Sequence, residues 1–142
     1  MDKVKIPDVT CKIEVYAPVN PSEDPEKVRL AVSHVVLDTN FKYEDGSIKA
    51  TSKDLQSLAK IYDTIRSRGV IKAYRRQIRF HTHDTTTWFY LNKQAAFVDV
   101  IAICEEAEES PMGPIKIILH SNEIQKVIDW LVPEPIERDY NE

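Results

Sequence analysis

The apolar pattern of this chain predicts an α+β fold, a mostly antiparallel sheet with helices packed on one face, in the order β-α-ββ-α-α-β-β-β-α. Three observations lead to it. Residues 9–16 alternate, with Val9, Cys11, Ile13 and Val15 on one side and Thr10, Lys12, Glu14 and Tyr16 on the other, the period of a half-buried strand. Leu55, Leu58, Tyr62 and Ile65 recur at three- and four-residue spacing, the period of a helix with one buried stripe. The later strands are joined by stretches too short for parallel crossovers.

Taken in order, Pro18, Asn20 and Pro21 turn the chain after strand one, and Asp24-Pro25 supplies an N-cap and a first helical residue. Val28, Ala31, Val32 and Val35 form that helix's stripe. Asp45-Gly46, between 41–44 and 47–50, is the dipeptide that most readily adopts the positive φ angles of a tight hairpin. Thr51 with Asp54 reads as a capping box opening the second helix. Gly69 ends that helix in the left-handed conformation, with Val70 placed to touch Ile65. Ile71, Tyr74 and Ile78 start a third helix to about residue 80, whose other side carries Arg75, Arg76 and Arg79. Strands are expected over 86–91, 97–104 and 115–119. Ser121 then caps a last helix bearing Ile124, Val127, Ile128 and Leu131, stopped by Pro133. The length of 142 residues suits one domain, with 134–142 expected as a loose tail.

With 42% apolar and 30% charged residues and three glycines, the composition is that of a folded protein. No apolar run nears a membrane span, and the first residues lack a secretory signal, so a cytoplasmic location without membrane association is expected. Cys11 and Cys104 are too few for a disulfide framework or a paired zinc site. Free thiols are expected, although a disulfide would be possible if their strands were neighbours on the inner face. No cofactor signature is present. The net charge of −4 argues against general nucleic-acid binding. Between Lys60 and Lys93, however, eight Lys or Arg stand against two acids, and the other residues carry 11 against 21, or −10. One side of the molecule can therefore be positive while the whole is acidic.

Two features are candidate sites for nucleic acid. The run Tyr90-Leu91-Asn92-Lys93-Gln94-Ala95-Ala96-Phe97 interrupts an apolar stretch with three polar side chains. Asn92 and Gln94 can close a turn by bonding backbone groups while Ala95 and Ala96 let a helix approach. Equally, Lys93 can contact phosphate while the two amides read a base or sugar edge. Arg66, Arg68, Lys72, Arg75, Arg76 and Arg79 can form an RNA-backbone surface, since guanidinium groups grip phosphate bidentately. Each alone reads as a solvated helical side chain, and Arg66 and Arg68 also sit where cations favour a helix C-terminus.

The sheet's second side raises a partner question. If Phe89, Leu91, Val98, Val100, Ala102, Ile115, Ile117 and Leu119 lie under the helices, Trp88, Tyr90, Ile101, Ile103 and Ile118 face away as an uncovered apolar patch. A homodimer is the plain reading of such a patch and a base-stacking platform the sharper one. An enzyme reading rests on His81, His83 and Asp84, which could ligate a metal for hydrolysis if that segment is extended. His34 and His120 have no ligand spacing to that cluster, and neither a paired carboxylate nor a glycine-rich loop accompanies it. The acidic loop Glu105, Glu106, Glu108 and Glu109 reads as solvated.

The strings Pro21-Ser22-Glu23-Asp24-Pro25-Glu26-Lys27-Val28, Leu91-Asn92-Lys93-Gln94-Ala95-Ala96, Ser110-Pro111-Met112-Gly113-Pro114-Ile115 and Asp129-Trp130-Leu131-Val132-Pro133 resemble, in that order and over nearly the whole chain, an archaeal family of uncharacterised proteins. That family resembles predicted exosome-associated proteins, is grouped under RNA binding, and is similar in fold to the large-subunit ribosomal protein that holds 5S RNA. The resemblance implies an α+β domain with an RNA connection, with Asn92, Lys93 and Gln94 in its most recognisable motif. From the residues themselves a non-enzymatic domain without catalytic residues is expected, with RNA as its partner. Where the family often has glycine after the double alanine, this chain has Phe97-Val98-Asp99-Val100, which makes the following segment bulkier.

Overall fold

The computed structural model describes residues 4–135. Its centre is a six-stranded open sheet in the order β2-β3-β1-β6-β4-β5, antiparallel at every pairing. The strands are β1 (Lys12–Pro18), β2 (Asn40–Glu44), β3 (Ser47–Ser52), β4 (Thr86–Leu91), β5 (Ile103–Cys104) and β6 (Ile115–His120). The helices are α1 (Pro25–Val35), α2 (Ala59–Ser67), α3 (Ile71–Phe80), α4 (Lys93–Phe97) and α5 (Ile124–Leu131). The expected α+β class and its antiparallel sheet are what the protein has.

Alternation decides which side of the sheet is covered. Ile13, Val15, Ala17, Ile48, Ala50, Phe89, Leu91, Ile115, Ile117 and Leu119 are buried together with Val28, Val32, Leu58, Ile61, Ile65, Tyr74, Ile78, Val127 and Leu131 of the helical layer. Burying that many aliphatic and aromatic side chains at about 1.5–3 kcal/mol each is what holds the layers together. The out-of-phase residues Glu14, Tyr16, Lys49, Trp88, Tyr90, Lys116, Ile118 and His120 are only half-buried, and no helix covers them. One face is thus core and the other open.

Locally encoded features match the sequence. The Asp24 side chain accepts from the Glu26 N–H at 3.0 Å and caps α1. Asp45 (φ 52°) and Gly46 (φ 72°) turn the β2–β3 hairpin, and Gly69 (φ 64°) separates α2 from α3. Two caps shift: Thr51 belongs to β3, and Asp54 alone caps a 3-10 turn, Leu55–Leu58, that leads into α2. Ser121 does not cap α5 directly. Its hydroxyl bonds the Thr10 carbonyl and accepts from the Glu123 N–H, setting the turn before the helix.

The largest departure is the strand expected over 97–104. Asn92 starts α4 instead, Asp99 takes a positive φ of 61°, and only Ile103–Cys104 is strand. In consequence Val98 is 72% exposed, Val100 and Ala102 are half-buried, and Ile101 is in the core rather than on the open side. Ile103 packs against the core as well. The expected dimer patch therefore keeps Trp88, Tyr90 and Ile118 and loses Ile101 and Ile103. Cys11, just before β1, and Cys104 in β5 are separated by β6 and β4, so they cannot pair, and both are buried free thiols. Burial pushes each up to about 11. Of the expected tail, 134–135 are exposed and without regular structure, and 136–142 lie outside the described residues.

Candidate functional site

The six basic residues expected to form one surface are held in three ways. Arg66 donates to the carbonyls of Trp130 (2.9 Å) and Leu131 (3.2 Å) and lies 3.4 Å over the Tyr62 ring. Arg75 donates to the carbonyls of Val132 and Pro133. Both thus satisfy the unpaired carbonyls at the end of α5, where a cation is favoured by the helix dipole. Arg76 pairs with Glu105 at 2.9 Å and Arg79 with Glu134. Arg68 and Lys72 make no ion pair among the described residues. The set does not form an unbroken phosphate-binding surface, because two of its guanidinium groups bond the end of α5 and two more are paired with carboxylates.

The Asn92-Lys93-Gln94 motif is built inward. Asn92 caps α4 by accepting from the Ala95 N–H at 2.9 Å, and its amide donates to the Glu109 carbonyl. The Ser110 hydroxyl donates to Gln94 at 3.0 Å and accepts from the Lys93 N–H at 3.0 Å. Lys93 is 0% exposed, its ammonium bonded to Glu23 (2.9 Å) and to the carbonyls of Pro18 (2.6 Å) and Met112 (2.9 Å). That ion pair ties three distant segments together at the end of β1. Burial alone would raise the Glu23 pKa, but bonds from the Asn20 backbone and amide and from Lys93 outweigh it and hold the carboxyl below its ordinary value. Ala96 is buried, and its carbonyl meets the His34 ring at 2.7 Å where α4 lies on α1. The small residues thus permit the close helix approach expected of them.

The open face gathers residues from the four central strands. Trp88 stacks on His81 with ring centres 3.5 Å apart, lies 4.9 Å from Tyr90, and has the Lys116 ammonium 4.4 Å from its ring centre. Burial lowers the His81 pKa, and Lys116 adds to that, so the stacked ring is held toward its neutral form. Farther along, Lys49 lies 5.4 Å over Tyr16. At the other end of β6 His120 bridges Thr86 (3.0 Å) and Glu14 (2.9 Å). Lys12, Lys42, Lys49 and Lys116 stand against Glu14 and Glu44 across this face. Sequence reasoning saw the aromatic pair but missed Lys49, Lys116 and His120 as its neighbours. The signal was present in their strand phase, but the strand order that joins β1, β3, β4 and β6 was not.

The metal reading fails on geometry, since its segment is not extended. His81 ends α3 and bonds the Trp88 carbonyl, while His83 and Thr86 exchange backbone hydrogen bonds around Asp84, whose φ is 59°. Among the described residues no three His, Cys, Asp or Glu converge as ligands. Nor is any helix long and apolar enough to cross a membrane.

Residues 12–121 match a family model described as RNA binding. A UPF0201 protein of Methanothermobacter thermautotrophicus is 37% identical over 123 residues, 87% of this chain and 92% of the relative. One from Metallosphaera sedula is 34% identical over 125 residues, 86% and 87% of the two chains. Among solved structures, a UPF0201 protein superposes with a TM-score of 0.74 at 25% identity, covering 87% of this chain and 94% of the other. The Methanococcus jannaschii UPF0201 structure gives 0.73 at 23% identity over the same shares and is alike in fold.

Proposed function

The chain belongs to the UPF0201 family, and from that premise we propose that it is a binding protein, not an enzyme, whose ligand is single-stranded RNA held on the open face of the sheet. The observation that carries this reading is the half-exposed set of Trp88, Tyr90 and Tyr16 on the side of the sheet away from the helical layer, with Lys49 and Lys116 over two of the rings. Bases stack on aromatic faces with about 1–3 kcal/mol each, and flanking ammonium groups take the phosphates. Duplex RNA keeps its bases stacked within the helix, so an aromatic platform favours unpaired strands. The matched residues 12–121 begin with the first residue of β1 and end one past β6, which spans the sheet and leaves out α5. Arg68 and Lys72 then serve as outlying charges that draw RNA in, while Asn92, Lys93 and Gln94 brace the fold behind the face.

Fluorescence anisotropy with a labelled single-stranded RNA tests this. Trp88→Ala and Tyr90→Ala should each weaken binding by about 10-fold, the worth of one stacked base. Reversing Arg68 and Lys72 should cost less. Affinity indifferent to both aromatic changes contradicts the reading. A second reading, a homodimer through the same face, is favoured by the direct pairing of Trp88 with Ile118 on adjacent strands. Sedimentation separates the two: a dimer converted to monomer by Trp88→Glu, with no RNA affinity in the native chain, supports the second.

A further inference from the structure

Where β5 stops after pairing with Tyr90 and Leu91, the outer edge of β4 is left open, and the end of α3 curls beside it. A cavity of about 520 Å³ lies there, between α3, the edge of β4 and the loop after β5. That is within the range of small-molecule sites, roughly 300–1,000 Å³. Its walls are flat rings. Phe80 is 80% exposed, an unusual position for phenylalanine, and stands edge-on to His81, which is stacked on Trp88. Gln77 is part of the lining, 9% exposed as a residue, and its side-chain amide makes no hydrogen bond to another described residue and stays accessible from the cavity. Glu108, on the rim, makes no ion pair among the described residues, while Arg76 opposite is held by Glu105.

We propose that this cavity is a base-specific subsite that takes one unstacked adenine of the bound strand, an inference that rests on the RNA reading above. Flat apolar walls select a planar ring. The amide offers an acceptor beside a donor, and its complement is an amino group beside a ring nitrogen, which adenine presents. The amino group has a second hydrogen, and the Glu108 carboxylate on the rim accepts it. Uracil turns carbonyl oxygens toward that carboxylate and is repelled. Cytosine shares adenine's pattern on a smaller ring and stacks less strongly. Net negative charge at the rim also explains why the pocket is a site for a base rather than for phosphate.

The test compares oligoadenylate with oligouridylate, each about ten nucleotides long, the span of one binding fold. Wild-type protein should bind oligoadenylate about 10-fold more tightly, as one bidentate base contact confers. Gln77→Met, of similar length and apolar, should bring the two affinities together while leaving that for oligouridylate in place. In parallel, adenosine and uridine monophosphates titrated into the wild-type protein should shift the Trp88 indole resonance only for adenosine, which decides the matter even if the variant does not fold. Equal affinity of wild-type protein for both oligonucleotides overturns the adenine subsite and leaves RNA binding standing. Failure of both to bind overturns the two together.

Discussion

The Lys93 ammonium, on a side chain fully shielded from water, is surrounded by oxygen: one carboxylate and two carbonyls, all within 2.9 Å. Removing one member of a buried pair strands the other, so Lys93→Ala should cost about 3–5 kcal/mol in a denaturant melt. Lys93→Met combined with Glu23→Gln should recover much of the loss, because neither charge is then left alone. The pair also sets an acid limit. The pKa of Glu23 is lower in the folded chain than its ordinary 4.5, so its stabilisation is fully present above that value and is lost as pH falls through the folded one. Glu23→Gln should therefore lag wild type at neutral pH and approach it in acid. A gap between the two melts that stays constant down to pH 3 would exclude this linkage. None of it was legible locally: Glu23 lies 70 residues from Lys93 and Pro18 lies 75 away. A lysine beside two amides looks like a surface contact until those segments are brought together. Gly113 in the same corner has a φ of 95°, and an added methyl would run into the Pro18 ring.

At the scale of elements, what the sequence specified over a few residues it specified well. Asp24-Pro25, Asp45-Gly46 and Gly69 each dictate their own backbone, and α1, the β2–β3 hairpin and the α2–α3 break fall where those residues put them. Residues 97–104 are different. Their apolar run fits a buried strand and an irregular core segment equally, and the Asn92 cap decides by starting a short helix first. Asn92→Ala should cost about 1 kcal/mol, the usual worth of an N-cap, and loosen α4 against α1. Amide exchange at Ala95 and Ala96 measures that directly, and unchanged protection there would show that packing alone holds the helix. The basic side of α3 illustrates the same limit. Its periodicity was readable, but the partners of Arg75 and Arg79 come from the far end of the chain.

Across the whole molecule, the decisive property is that helices cover one face of the sheet and leave the other open. Strand phase in the sequence foretold two such faces and placed Trp88 and Tyr90 on the second. It could not foretell that β1, β3 and β6 would bring Tyr16, Lys49 and Lys116 beside them, because strand order is set by long-range pairing. Of the four lysines on that face Lys116 makes no ion pair among the described residues, while Lys12 is paired with Glu14 and Lys42 and Lys49 with Glu44. The binding slope against log salt for single-stranded RNA is therefore bounded at roughly −3, reached only if all four turn to phosphate at about 0.7 per contact. The full basic set of α2 and α3 would give a steeper one, about −4. The most direct measurement is a map of amide and indole shifts as unlabelled single-stranded RNA is added to the nitrogen-15-labelled protein. The open-face account predicts changes concentrated at Tyr16, Lys49, Trp88, Tyr90, Lys116 and Ile118, with the helical layer still. Shifts gathered instead around Arg68 and Lys72, with Trp88 and Tyr90 unmoved, would contradict it.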